Sequence, residues 1–331
     1  MNIAVLSDGG WGTALAILLV HNGHSVRLWG PFPDYICEIR KSRENSKFLA
    51  GVKLPDGLVL CEDMKEAVED SELVVLASPS QYMRGTLEKF SKLHSPGKQI
   101  LVNVAKGIEV GSLKRMSEIC DEILGKTRYC VLSGPSHAEE VAVNVPTAIV
   151  AASNDAATAE VVQKVFMNEF FRVYTSSDVV GVELGGALKN VFAIACGVID
   201  GMKLGDNPKA ALMTRGIAEM ARLGVVLGGR YETFSGLSGI GDLIVTCTSR
   251  HSRNRHVGEE LGRGRKINEI LKEMGLVVAE GVKTSESAHS LALKNNVDTP
   301  IINEVYEELY VGKDPRRGVK DLMTRKAKKE F

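Results

Sequence analysis

The sequence predicts an α/β protein, a parallel, doubly wound sheet followed by an all-helical second domain. Three observations carry this. Short apolar runs alternate with helix-period stretches through the first half, a glycine-rich turn follows the first run, and from Ser177 helical periodicity takes over to the end. Alternating strands and helices need crossover connections, which favour parallel strands.

Residues 3–6 form a short apolar run and read as a buried strand. The turn Ser7-Asp-Gly-Gly-Trp-Gly12 opens a helix that runs to about Asn22, where Gly23 stops it, and residues 25–29 are the second strand. Further strands fall at 73–77, 99–105, 129–132, 147–152 and 171–175, with helical patterns at 79–90, 113–124 and 156–166. The helical half is broken at Gly228-Gly229, at residues 236–241 and at Pro300. The division is placed so that residues 1–177 form a dinucleotide-binding domain and 178–331 a helical substrate domain.

Composition narrows the function. A chain of 331 residues, 44% hydrophobic, can build two domains with proper cores. A formal net charge of zero gives no reason to expect nucleic acid or an anionic membrane as partner. The cysteines Cys37, Cys61, Cys120, Cys130, Cys196 and Cys247 are scattered without a C-x-x-C pair, as in the reduced thiols of a cytoplasmic protein, and no metal-ligand spacing stands out. The N-terminus enters a strand directly, with no signal-like segment, and no apolar run approaches the ~20 residues of a membrane span. The basic tail at 325–329 reads as a solvated helix end.

The first chemical signal is the turn after the first strand. A dinucleotide fingerprint is G-x-G-x-x-G between strand and helix, and Ser7, Gly9 and Gly12 hold its three glycine positions. Gly9 lets the backbone approach a pyrophosphate, Gly12 permits close packing, and the helix N-terminus offers unpaired N–H groups. Ser7 departs from the pattern where glycine normally makes the tight turn. In this context the first domain is Rossmann-like. No G-x-x-x-x-G-K-[ST] loop is present.

The second signal is residues 182–200, read as one helix. Leu184, Leu188, Val191, Ile194, Ala195 and Val198 share an apolar face; opposite them Lys189 lies among Gly185, Gly186, Ala193, Cys196 and Asp200. Small neighbours leave room for a ligand, and a desolvated lysine there can move a proton near neutral pH. The bland reading is a solvated lysine on an amphipathic helix. Lys106 sits just past the carboxyl end of a strand, where open α/β sheets bind ligands. Ser136 and Glu139 fit an S-x-x-E capping box at another strand-to-helix turn. Residues 236–243 form a loop ending in Asp242, and Ser252, Arg253 and Asn254 precede a helix from about Val257, a donor-rich setting suited to a small phosphate.

Taken in order, Trp11–Ala16, Lys106–Glu109, Leu132–Glu140, Phe171–Tyr174, Val180–Asn190, Lys209–Gly216, Phe234–Thr246, Ser252–Asn254 and Glu280–Val282 make the chain resemble the NAD(P)-dependent glycerol-3-phosphate dehydrogenases of bacterial type. The resemblance implies hydride transfer between nicotinamide and the sn-glycerol 3-phosphate/dihydroxyacetone phosphate pair, supplying glycerol 3-phosphate for phospholipid synthesis. It implies Lys189 as acid/base, Lys106 polarising the same oxygen, and Asp242 and Asn190 positioning the lysine and the hydroxyls. Gly134, Ser136, Ser252, Arg253 and Asn254 fall on substrate contacts. Gly10, Trp11, Lys106, Ala138, Arg253, Val278 and Glu280 fall on cofactor contacts, beside Gly9 and Gly12 of the turn. A homodimer is the family's usual assembly.

Two other readings remain at this stage: a 6-phosphogluconate- or 3-hydroxyacyl-type reductase, and a non-catalytic dinucleotide sensor hinted at by Ser7. The cofactor reading favours NAD(H), with NADP(H) possible. After the second strand the chain continues Gly30-Pro-Phe-Pro-Asp34, with no basic residue until Arg40. Phe32 offers a face for adenine, and Asp34 repels a 2′-phosphate if it points inward.

Overall fold

The computed structural model describes residues 1–327, 329 and 330. Its strands are β1 (Asn2–Leu6), β2 (Ser25–Trp29), β3 (Leu58–Cys61), β4 (Leu73–Leu76), β5 (Ile100–Asn103), β6 (Arg128–Ser133), β7 (Thr147–Ala152) and β8 (Phe171–Ser176). They form one sheet in the order β3-β2-β1-β4-β5-β6-β7-β8. Sequence order reverses between β1 and β4, which opens a crevice at the carboxyl ends of the strands.

The sheet is parallel except at one seam. β6 and β7 run antiparallel, with Leu132 opposite Ala151. The link between them carries only the four-residue helix Ala138–Val141. That is too short to return the chain along the strand length, so β7 enters from the end where β6 left. β3 is the element the hydrophobic pattern did not announce. It is four residues long, sits on the sheet edge, and has Val59 turned to solvent.

Apolar strand residues feed both faces of the sheet, as a doubly wound fold requires. One face packs on Ala14–Leu19 of the first helix, together with Val162 and Phe166. The other packs on Met83, Leu87, Phe90, Met116 and Ile119. A separate core forms around Val179–Gly201, which gathers Met220, Leu223, Phe234, Leu243, Val257 and Ile302.

That helix starts where Asp178 accepts a 2.9 Å bond from the Gly181 amide. It is not amphipathic. Every residue from Gly181 to Ile199 is buried, because other helices and, near its start, the β6–β7 edge of the sheet cover it. It is long and apolar enough to cross a membrane, yet the whole of its most apolar stretch lies inside the protein. The strip of small residues is filled by protein. A side chain at Gly185 would meet the Ser238 carbonyl at 2.6 Å. Further along, Gly197 and Gly201 lie against the backbone of Arg255 and Glu259, while Gly258 and Gly262 lie against the carbonyls of Ile194 and Val198. The helices Val179–Gly201 and Arg253–Gly262 therefore touch backbone to backbone.

Three local expectations change. The helix carrying Arg253 begins at that residue rather than near Val257, because Ser252 caps it. Ser136 and Glu139 form no capping box; the cap position is His137, and Ser136 Oγ donates to the Gly134 carbonyl at 2.9 Å. The last helix ends at Met323, so the basic tail lies beyond it, with Arg325 on the Asp298 carboxylate; Lys328 is outside the described residues.

Candidate active site

Both halves of the chain meet at Asp242. This residue is 1% exposed and opens the helix Asp242–Thr248. Its Oδ1 accepts from Lys189 Nζ at 2.9 Å, and its Oδ2 accepts from Lys106 Nζ at 2.7 Å. Lys106 also donates to the Gly134 carbonyl at 2.8 Å, and Lys189 donates to Thr246 Oγ1 at 2.7 Å. One carboxylate from the helical half thus joins a lysine from its own half to a lysine from the sheet edge.

The electrostatics follow from burial. Desolvation pulls the Lys189 ammonium down to about 8, and nearby Lys106 adds to the effect, against the upward pull of Asp242. Burial pushes the Asp242 carboxyl up, but the two lysines outweigh it and hold the group below its ordinary value. A lysine that would otherwise be fully protonated at neutral pH is thereby brought close to it.

Around this centre the polar groups interlock. Asn190 Nδ2 donates to the Lys106 carbonyl at 3.2 Å, and Asn190 Oδ1 accepts from Asn254 Nδ2 at 2.8 Å. Asn254 Oδ1 in turn accepts from the Gly281 amide at 2.9 Å. Ser252 Oγ accepts from the Arg255 amide, which leaves its hydrogen for a ligand. The exposed Arg253 is steered by a 3.1 Å bond to the Val278 carbonyl. Glu280, pushed up by burial, accepts from the Ser80 amide at 2.8 Å and from the Ser80 hydroxyl, tying the two halves together again.

The glycine turn fits a dinucleotide. A Cβ on Gly12 would collide with the Ser7 carbonyl and approach Ala77 at 3.1 Å; one on Gly10 would collide with the Phe48 carbonyl and stand 3.8 Å from Ala138. Gly9 caps the first helix without using a side chain, so the N–H groups of that terminus keep their capacity for phosphate oxygens. Trp11 Nε1 is buried without a hydrogen-bond partner among the described residues. Ser7 carries φ of 128°, a conformation that normally demands glycine. Phe32 is half exposed and lies apart from the lysine centre, lining a 220 Å³ cavity with Asp34, Tyr35, Glu38, Lys47, Phe48 and Leu276.

The sequence had not singled out Thr246, Ser80 or His137. Thr246 was findable, since it follows Asp242 by one helical turn and its hydroxyl also reaches the Asp242 carbonyl at 2.6 Å. Ser80 and Glu280 are 200 positions apart, and no local pattern pairs them. His137 faces His251 across the cleft, ring centres 5.9 Å apart, and burial lowers its basicity, with Lys189 adding to the effect.

The chain resembles known proteins along nearly its whole length. Residues 2–159 match the family model for the NAD-dependent glycerol-3-phosphate dehydrogenase N-terminus, and residues 178–320 match that for its C-terminus. The chain is 50% identical to a protein of Pelodictyon phaeoclathratiforme named glycerol-3-phosphate dehydrogenase [NAD(P)+], covering 100% of this chain and 99% of the relative. It is also 50% identical to a protein of the same name from a Geobacter species, covering 99% and 98%. The crystal structure of glycerol-3-phosphate dehydrogenase from Coxiella burnetii superposes with a TM-score of 0.94 at 38% identity over 98% of both chains. The chain belongs to the NAD-dependent glycerol-3-phosphate dehydrogenase family.

Proposed function

We propose that this protein, an NAD(P)-dependent oxidoreductase, interconverts sn-glycerol 3-phosphate and dihydroxyacetone phosphate and so supplies glycerol 3-phosphate for phospholipid synthesis. The observation that carries the reading is the Lys189–Asp242–Lys106 bridge, with Asn190, Asn254 and Ser252–Arg253 beside it. In this reading residues 1–177 are the dinucleotide-binding domain and 178–331 the helical substrate domain, and each lends residues to the other's ligand. The nicotinamide, when bound, supplies or accepts the hydride at substrate C2.

The chain's own groups do the rest. Lys189 takes the C2 hydroxyl proton in oxidation and returns it in reduction, which avoids a free alkoxide. Lys106 polarises the same oxygen, and its bond to the Gly134 carbonyl fixes it in place. Asp242 aims both ammonium groups. Asn190 positions the hydroxyls, held by Asn254. Arg253, Ser252 and the N–H groups of the helix they open take the phosphate, with Asn254 contributing its remaining N–H. Gly134 and Ser136 close the substrate pocket from the sheet side. Gly9, Gly10, Trp11, Gly12, Ala138, Val278 and Glu280, with Lys106 and Arg253, line the dinucleotide.

NADH is the favoured reductant in this reading. Arg27 donates to the Glu66 and Glu69 carbonyls at 2.9 and 2.8 Å, and Arg40 pairs with Glu62 at 2.7 Å. Both basic residues nearest in sequence to the end of β2 are thus engaged elsewhere, and Lys47, which lines the cavity with Phe32 and Asp34, lies 3.6 Å from Glu38. A cytoplasmic homodimer completes the proposal.

The test is direct. Purified protein mixed with NADH and dihydroxyacetone phosphate consumes NADH, and does so faster than with NADPH at equal concentration. No oxidation with either cofactor overturns the activity; equal or better kcat/KM with NADPH overturns the preference alone.

A further inference from the structure

The end of β2 holds an unusual pairing. Gly30 follows the strand directly. A Cβ built on it would collide with the Asp8 carboxyl carbon and lie 2.5 and 2.8 Å from its two oxygens. The carboxylate of the glycine turn therefore fills the volume that a side chain at position 30 would occupy.

Asp8 is held by its backbone, not by its carboxylate. Its carbonyl accepts from Asn45 Nδ2 at 2.6 Å and from Thr13 Oγ1 at 3.3 Å. Asn45 is itself fully buried and bonds Tyr35 through a 2.6 Å contact. Asp8 is 3% exposed, yet among the described residues its Oδ2 has no hydrogen-bond partner. Burial pushes the group up to about 6, against the pull of its own backbone amide and of Lys47. A buried acceptor left open is costly, so its retention asks for a reason, and a donor brought by a ligand supplies one.

In dinucleotide-binding folds the adenosine ribose lies at the end of the second strand, where an acid accepts its 2′-hydroxyl. Position 30 carries no acid here, and Asp8 brings a carboxylate to the same place from the preceding turn. Lys47, the cation facing this carboxylate, has its Nζ 3.6 Å from Glu38 and 3.9 Å above the Tyr35 ring. Its charge is thereby shared before any ligand phosphate arrives.

We propose that Asp8 is the ribose-reading carboxylate of this chain: it accepts the adenosine 2′-hydroxyl and repels a 2′-phosphate, and Gly30 is bare to make room for it. The proposal rests on the NADH preference inferred above and gives it a residue.

Titration calorimetry with NADH, NADPH and 2′-deoxy-NADH tests it on the wild-type protein, Asp8→Ala and Asp8→Asn. Wild type binds NADH at least about 10-fold tighter than 2′-deoxy-NADH, the loss of one charge-assisted bond. Asp8→Ala loses that difference and narrows the NADH/NADPH ratio by about 10-fold or more. Asp8→Asn keeps the shape and an acceptor, so it retains most NADH affinity while gaining NADPH affinity. Equal wild-type affinity for NADH and its 2′-deoxy form overturns the assignment without recourse to any variant. A wild type that prefers NADH, with an unchanged ratio in the variants, overturns Asp8 and leaves the preference standing. A wild type that prefers NADPH overturns both.

Discussion

At the Lys189 end of the cleft each buried charge has its partner; at the glycine turn Asp8 has an open oxygen and Ser7 a strained backbone. The first region is finished before substrate arrives. Its lysines, aspartate and asparagines are oriented by one another, so little reorganisation is left for the chemical step. In the proposed reading the second region would be completed by its ligand. The contrast teaches that a site can spend stability in two ways, by burying a balanced charge cluster or by holding strain and an unmet acceptor.

The strongest way to break that contrast is at its finished end. Lys189→Ala should fold and bind cofactor normally while losing about 10²–10⁴ in turnover; retention of a tenth of the wild-type rate removes Lys189 from the proton-transfer role. The same group sets a pH profile. The base form serves oxidation, so glycerol 3-phosphate oxidation should rise with pH through about 8, and the reverse reduction, which needs the protonated form, should fall over the same range. Profiles flat across that interval place the proton elsewhere.

Asp242→Asn attacks the balance itself. It leaves two ammonium groups facing each other without their shared counter-charge, at a cost of about 3–5 kcal/mol in unfolding free energy. Since Asp242 raises the Lys189 value, any remaining activity should show its midpoint shifted to lower pH. Urea titration and a pH series check the two halves; unaltered stability shows that the bridge is solvated in solution.

Arg253→Ala should weaken the phosphorylated substrate by roughly 1.5–3 kcal/mol, or about 10–150-fold. Dihydroxyacetone, without the phosphate, should be poor with both proteins and hardly distinguish them. An equal loss on both substrates shows that Arg253 does not read the phosphate.

The smallest effect belongs to the glycine turn. Ser7→Gly relieves φ of 128° but adds unfolded-state entropy, for a net gain of about 1 kcal/mol. Chemical denaturation measures it. No gain means that the turn holds serine without strain, and the two regions are then less different than they look.

Much of this was legible in the sequence, for identifiable reasons. Strands such as residues 73–76 are buried on both faces and read as continuous apolar runs. Lys106, Lys189 and Asp242 stood out because each charge interrupts apolar or small neighbours. The antiparallel β6–β7 seam was not legible, because apolar runs carry no direction and the short helix between them mimics a crossover. Lys189 looked like one face of an amphipathic helix because periodicity counts side chains along one helix and not the helices that cover it. Asp8 is not legible for a related reason. It sits at an unspecified position of the fingerprint, and its meaning depends on Gly30, which only the fold brings against it.

The glycine contacts between Val179–Gly201 and Arg253–Gly262 have a consequence for which substrates can react. Helices that meet backbone to backbone can neither slide nor spread without breaking their packing. Lys189 is carried by one and Arg253 by the other, so in the proposed reading the span from proton donor to phosphate grip would behave as a fixed gauge. A homologue one carbon longer between its phosphate and its carbonyl would overshoot that gauge and present the wrong atom to Lys189. Length selection would then follow from the glycine contacts that lock the two helices together.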